Sequence, residues 1–84
     1  MTTTKPSPSE VTQRGREIYE RRFRSSLEPQ NNGKFIVIDI MTEDFEVDSD
    51  DIAAEDRLVQ RNPGHALFLH CIGTKATFSF GRAM

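Results

Sequence analysis

The segment that most constrains the fold is a nearly unbroken apolar run, Lys34–Met41, which reads Lys-Phe-Ile-Val-Ile-Asp-Ile-Met. Four of its eight residues are β-branched, Gly33 precedes it, and a polar Thr-Glu-Asp turn follows it. Short β-branched runs bounded in this way are typical of strands buried on both faces or nearly so. The run therefore predicts a central strand.

The N-terminal third predicts a tail followed by a helix. Residues 1–9 are almost entirely Thr, Ser and Pro, which bury too little surface to offset the entropy of ordering. We therefore expect a disordered tail over 1–9 and one domain over 10–84. From Ser9 to Leu27 apolar residues recur at three- and four-residue spacing, with Ser7 or Ser9 as the cap, which predicts an amphipathic helix. The Glu28-Pro29 pair ends it, because a residue before proline disfavours helical backbone.

The remaining elements follow from the same signals. The alternating segment Asp44–Asp48 predicts an edge strand that forms a hairpin with the central one. A second helix is predicted from Asp50 to about Arg61, capped by Ser49 or Asp48 and ended by an Asn-Pro-Gly turn. Two further strands are predicted from the last third of the chain: Ala66–Ile72 and Lys75–Phe80.

The element order is therefore α-β-β-α-β-β, which predicts a small two-layer α+β domain. The second helix crosses from the second strand to the third, so the third strand is expected on the far side of the first. This gives a four-stranded, mainly antiparallel sheet in the order 2-1-3-4. Both helices are expected over one face of that sheet.

Composition limits the class of protein. The chain has 84 residues, 36% of them hydrophobic, so we expect one modest core. No run approaches the roughly 18 apolar residues of a membrane helix, and no secretory signal is recognisable at the N-terminus. The single Cys71 cannot form an internal disulfide, so a reducing, cytoplasmic location is expected. Association with a membrane is not expected.

Charge is segregated along the chain although its net value is only −2. Residues 1–34 carry seven Lys/Arg and four Asp/Glu. Residues 35–62 carry two Lys/Arg and nine Asp/Glu, and residues 63–84 carry two Lys/Arg and no Asp/Glu. The net charges of the three segments are therefore +3, −7 and +2. The basic and acidic segments either satisfy each other in the fold or face different partners.

Two acidic residues interrupt apolar patterns and are candidates for a buried polar pair. Asp39 lies within the central run, and Asp56 follows Ile52 by four residues and precedes Val59 by three. A buried carboxylate needs a partner, so each should meet an Arg, a His or backbone N–H groups. A two-carboxylate acid/base or metal site is the functional interpretation. In the structural interpretation, which we favour, Asp39 is an acid at the end of a strand and Asp56 forms an ion pair with an arginine of the first helix.

No motif predicts a catalytic, cofactor or metal site. His65, His70 and Cys71 lack paired ligand spacing, and adjacent strand residues point to opposite faces. An EF-hand alignment of the acids from Asp44 places Ser49 where that loop needs glycine. We therefore expect neither a bound cofactor nor enzymatic activity.

Arginines on the first helix are the candidate contacts to a partner or to nucleic acid. A row of guanidinium groups suits phosphate binding, but Glu17 and Glu20 interleave with them and favour ion pairs along the helix. The candidate residues are Arg14, Arg21, Arg22 and Arg24.

Several segments together resemble a family of small uncharacterised bacterial proteins, often cyanobacterial. The resemblance covers most of residues 14–81 and rests on a Gly-Arg-Glu-Ile-Tyr-Glu helix segment (15–20), a hairpin of the GKFVAID…GDYEI type (33–47) and an Asn-Pro-Gly-His-Ala segment (62–66). Val37 stands where relatives often have Ala. The family has no established activity. Its genes lie beside other short genes, toxin-like ones among them, so the resemblance implies an accessory or antitoxin-like partner of a neighbouring gene product.

Together these observations favour a small non-enzymatic protein-interaction module. Its expected partner is another protein, encoded nearby, and it is expected to form a homodimer through an exposed strand edge. The alternative hypothesis is a nucleic-acid-binding regulator that uses the Arg-rich first helix.

Overall fold

The computed structural model describes residues 7–73 and 77–79. The remaining residues, which include most of the predicted tail and both ends of the predicted last strand, lie outside the described part. The elements, in chain order, are α1 (Pro8–Ile18), a π-helical segment (Tyr19–Phe23), α2 (Arg24–Leu27), β1 (Phe35–Asp39), β2 (Phe45–Asp48), α3 (Asp51–Arg61), β3 (Leu67–Cys71) and β4 (Thr77–Ser79). The predicted α+β class is confirmed.

The first three elements follow one another without a break, and we call residues 8–27 the N-terminal rod. Ser7 is its cap: the Ser7 hydroxyl accepts from the Glu10 N–H, and the Glu10 carboxylate accepts from the Ser7 N–H, a capping box. Gly15 allows the rod to approach the sheet closely, because a Cβ there would lie 2.0 Å from Cγ of Phe68.

The π-helical segment keeps the apolar side of the rod on the sheet. Buried residues Tyr19 and Phe23 are four apart, and the half-buried Leu27 follows four later. Each four-residue step turns an apolar stripe by about 40° around an α-helix, because the α-helix has 3.6 residues per turn. A wider π turn absorbs this drift, so Phe23 rather than Arg22 enters the core.

The sheet is antiparallel with the strand order β2-β1-β3-β4. Ile38 lies opposite Phe45 on β2 and opposite Phe68 on β3. β3 also pairs with β4, through Leu69 opposite Phe78. β1 is thus an inner strand, and the run that predicted it is buried from Ile36 to Ile40.

The prediction that both helices lie on one face of the sheet is wrong. Residues of one parity on β1 and β3, such as Ile36, Ile38 and Phe68, pack with the N-terminal rod. The other parity, including Val37 and Leu69, packs with Ala54 and Leu58 of α3. The helices therefore cover opposite faces, because an apolar strand without alternation must be shielded from water on both sides.

The second helix begins with a different cap from the one predicted. Asp50, rather than Ser49 or Asp48, accepts hydrogen bonds from the Ile52 and Ala53 N–H groups. Asp48 instead accepts from the Asp50 N–H.

None of the helices within the described ranges is long and apolar enough to cross a membrane.

Candidate functional site

Asp39 is a fully buried carboxylate at the end of β1. Its Oδ1 accepts from the Met41 N–H at 2.8 Å and from the Thr42 N–H at 3.3 Å. Its Oδ2 lies 2.6 Å from Nδ1 of His65. Both oxygens are therefore satisfied, as burial of a carboxylate requires, by two of the three kinds of partner that the sequence leads us to expect, a histidine and backbone N–H groups.

His65 belongs to the connection between α3 and β3, so its bond to Asp39 ties that connection to the β1–β2 turn. Asp39 lies opposite Leu67 in the β1–β3 ladder, which brings His65, two residues earlier, to the same end of the sheet. The His65 side chain is 32% exposed. With Nδ1 held by the carboxylate, Nε2 is the ring atom left to face other groups.

An oriented imidazole is one component of several kinds of catalytic and metal sites, but it needs further groups to act. Within residues 7–73 and 77–79, no three His, Cys, Asp or Glu side chains are grouped so that they could hold a metal ion. What the geometry shows for the Asp39–His65 pair is a structural contact, which joins the β1–β2 turn to the α3–β3 connection.

Asp56 forms neither a buried polar pair with Asp39 nor, among the described residues, the favoured ion pair with an arginine of the first helix, so both interpretations of Asp56 are wrong. Asp56 is exposed on the outer side of α3. Ile52 and Val59, which suggested that this side enters the core, are 63% and 41% exposed. Ala54 and Leu58 face the sheet instead. The arginines of α3 that reach the β1–β2 hairpin lie on this sheet-facing side, opposite Ile52 and Val59.

Those arginines, Arg57 and Arg61, each bridge two carboxylates. Arg57 binds Glu46 at 2.8 Å and Asp48 at 2.9 Å. Arg61 binds Asp44 at 3.0 Å and also contacts Glu46. Hydrogen bonds from the two arginines hold the pKa of Glu46 below its ordinary value. Much of the acidic segment is thus neutralised within the segment itself, between β2 and α3.

Glu43 joins the turn of the same hairpin to the N-terminal rod. Its carboxylate accepts from Arg21 at 3.1 Å and from Arg22 at 3.0 Å, and its carbonyl oxygen accepts from Arg22 at 3.2 Å. The backbone of Glu43 has a φ of 67°, a left-handed conformation that is unfavourable for a residue with a Cβ. Hydrogen bonds from Arg21, followed by those from Arg22, lower the pKa of Glu43.

The other two candidate arginines differ from each other. Arg24 binds Glu20 at 2.7 Å and lies 3.7 Å from Glu28, so one of the predicted ion pairs along the helix is present. Arg14 is exposed and has no ion pair with a residue of the described part.

Open grooves of about 440 to 550 Å³ run along the outer side of the rod, on the face opposite α3.

His70, unlike His65, is a buried histidine, and it lies in the core between the rod and the sheet. It is 5% exposed, and its ring centroid lies 4.4 Å from that of Tyr19. Neither ring nitrogen has a hydrogen-bond partner in the described part of the chain. Burial lowers the pKa of His70, because an imidazolium ion there would lose its hydration. Nothing in the residues around His70 distinguishes this core position from a ligand position.

Tyr19 connects this core to the surface. Its hydroxyl donates to Oε2 of Glu28 at 2.6 Å, across the end of the rod. Burial, followed by the hydrogen bond to Glu28, raises the pKa of Tyr19 above its ordinary value. The phenol therefore stays protonated at neutral pH and acts as a fixed donor.

The chain matches no protein-family model, no curated protein and no solved structure. The resemblance to the small bacterial family therefore stays a prediction, and function has to be argued from the described surface and core.

The structural role of Asp39 predicts a large loss of stability in Asp39→Ala. The substitution leaves the backbone N–H groups of Met41 and Thr42 and the ring of His65 without their acceptor, so we expect the free energy of unfolding to fall by about 3 kcal/mol. The matched control Asp56→Ala removes an exposed carboxylate and should change it by less than about 0.5 kcal/mol. Urea titrations measure both. Equal effects of the two substitutions would contradict the assignment.

Burial of His70 predicts a loss of stability in acid. Because its pKa is lower in the folded than in the unfolded chain, the unfolded chain binds more protons below the ordinary value of 6.5. The free energy of unfolding then falls with decreasing pH, by at most about 1.4 kcal/mol per pH unit from this group. In His70→Leu this component should disappear.

The control is Ile36→Val, which trims the residue paired with His70 in the same cluster without changing a titratable group. It should lower stability by about 1 kcal/mol at every pH and keep the wild-type slope. Urea titrations between about pH 5 and about pH 7.5 separate the two effects. A wild-type slope in His70→Leu would show that another group is responsible.

Proposed function

We propose that this protein is a non-catalytic protein-binding module whose binding surface is the outer side of α3. The observation that supports this is the exposure of Ile52, by 63%, and of Val59, by 41%, on one side of that helix. They are seven residues apart, or two helical turns, and therefore project from the same side about 10 Å apart along the axis. We call Ile52, Asp56 and Val59 the α3 stripe.

Ile52 and Val59 differ from Phe45, another apolar residue at the surface, in what their side chains contact. Phe45, also partly exposed, packs against Phe23 with the two rings tilted and their centroids 4.5 Å apart. Exposed apolar residues that lie singly are ordinary, but two on one helical side provide anchors of the kind that protein interfaces use.

The edge of β2 is less suited to strand addition than the sequence suggests. The N–H of Asp39 bonds to the carbonyl of Asp44, so in the β1–β2 ladder the backbone groups of Phe45 and Val47 face outward. The Phe45 N–H donates to the Asp44 carboxylate, and the Phe45 carbonyl accepts from Arg61. Only the Val47 groups on this short edge lack such side-chain partners within the described residues, which blunts it against pairing.

Nucleic-acid binding receives less support from the geometry. Three of the four candidate arginines, Arg21, Arg22 and Arg24, are paired with carboxylates of the same chain. Contact with phosphates would have to break those pairs or compete with the carboxylates beside them. The proposed partner is therefore a protein, for which the product of a neighbouring gene is the first candidate.

The proposal predicts that Ile52→Asp abolishes complex formation while the fold is kept. Asp is well tolerated in the first turn of a helix, so the variant should fold. Loss of a central apolar anchor should weaken binding by at least about ten-fold. The measurement is co-expression of the tagged protein with neighbouring gene products, followed by co-purification and light scattering.

The matched control is Met41→Asp, because Met41 is also 63% exposed but lies outside the α3 stripe. It should co-purify with the partner as the wild-type protein does. The proposal fails if the wild-type protein forms no complex with any of these products, or if Ile52→Asp and Met41→Asp behave alike.

A further inference from the structure

The α3 stripe carries negative charge that no cation of the described chain neutralises. Asp56 lies between Ile52 and Val59 and is exposed, without an ion pair to a described residue. The two basic residues of α3, Arg57 and Arg61, are directed toward the carboxylates of β2. The outer side of the helix thus presents one carboxylate flanked by two apolar side chains.

Internal pairing of the other acids makes Asp56 stand out. Asp44, Glu46 and Asp48 meet arginines of α3, Glu43 meets arginines of the rod, and Asp39 meets His65. At the start of α3, Asp50 and Asp51 accept from the Ile52 N–H. Asp56 is thus a carboxylate of the acidic segment that no arginine and no backbone N–H of the described residues holds, and it lies on the outer side of α3, where a partner would meet it.

From this arrangement we infer the chemistry of the partner: a basic amphipathic helix that lies along α3. The inference rests on the proposed function and adds the nature of the occupant. Such a helix offers two apolar residues two turns apart, which match the spacing of Ile52 and Val59, with Lys or Arg between them opposite Asp56. A cation there forms a pair with Asp56 that is shielded by the apolar contacts on either side.

A second copy of this chain fits the α3 stripe less well. Two α3 helices packed through their stripes would bring one Asp56 close to the other, and like charges repel. The outer side of the rod is also a poor complement, because exposed Glu17 and Glu20 alternate there with its arginines. A separate basic helix is therefore the favoured occupant.

The test uses two synthetic helical peptides of about 18 residues, which differ only in charge. Both carry two leucines two turns apart; between them the first has two arginines and the second has two glutamates. Each is titrated into the full-length, isotope-labelled protein while backbone amide shifts are recorded by NMR. The basic peptide should shift the resonances of α3, from Ile52 to Val59, and bind about ten-fold more tightly than the acidic one.

Charge exchange provides the decisive comparison. In Asp56→Lys the preference should invert, so that the acidic peptide binds more tightly. The matched control Glu17→Lys makes the same change of net charge on the rod and should keep the wild-type preference. Raising the salt concentration from about 0.05 to about 0.5 M should reduce the difference between the peptides.

Several results would overturn the inference: equal binding of the two peptides, an unchanged preference in Asp56→Lys, shifts confined to the rod, or self-association through α3 that excludes the basic peptide. These are distinct from failure of the proposed function. Co-purification that is lost in Ile52→Asp but unaffected in Asp56→Lys would leave α3 as the binding surface and reject only the basic partner.

Discussion

The rest of the structure depends on one constraint, the burial of β1 on both faces. A strand with apolar residues at nearly every position cannot leave either side in water, so the chain must place cover above and below it. The N-terminal rod supplies one layer and α3 the other. Because α3 is then an outer layer, its far side remains at the surface, and Ile52 and Val59 are exposed there.

The burial of Ala54 and Leu58 and the ion pairs of Arg57 and Arg61 agree on how α3 is turned about its own axis. Arg57 and Arg61 reach the carboxylates of β2, which directs Ala54 and Leu58 toward the sheet and Asp56 away from it. Exposed ion pairs each contribute little to stability, but here two arginines act on three carboxylates as a network. The basic first third and the acidic middle meet mainly at Glu43. The same pairing that holds the hairpin leaves the α3 stripe available for a partner.

Local patterns predicted the elements better than their placement. The β-branched run predicted β1, and its lack of alternation already implied cover on two faces, although topology alone led to both helices being placed on one. Helix periodicity did not identify the buried side of α3. Ile52 and Val59 define one apolar side of this helix and Ala54 and Leu58 define another, so the pattern alone does not say which side faces the sheet. The drift from Tyr19 to Leu27 was a readable sign of the π-helical segment. His65 could have been named as the partner of Asp39 only with the strand register known.

The central claim, that the N-terminal rod and α3 cover opposite faces of the sheet, is tested most directly by proton–proton distances from three consecutive residues of β1. Nuclear Overhauser contacts from the methyl groups of Val37 should reach Ala54 and Leu58, whereas those of Ile36 and Ile38 should reach side chains of the N-terminal rod. Contacts from both residue parities to the same helix would contradict the account. They would also remove the basis for an exposed α3 stripe.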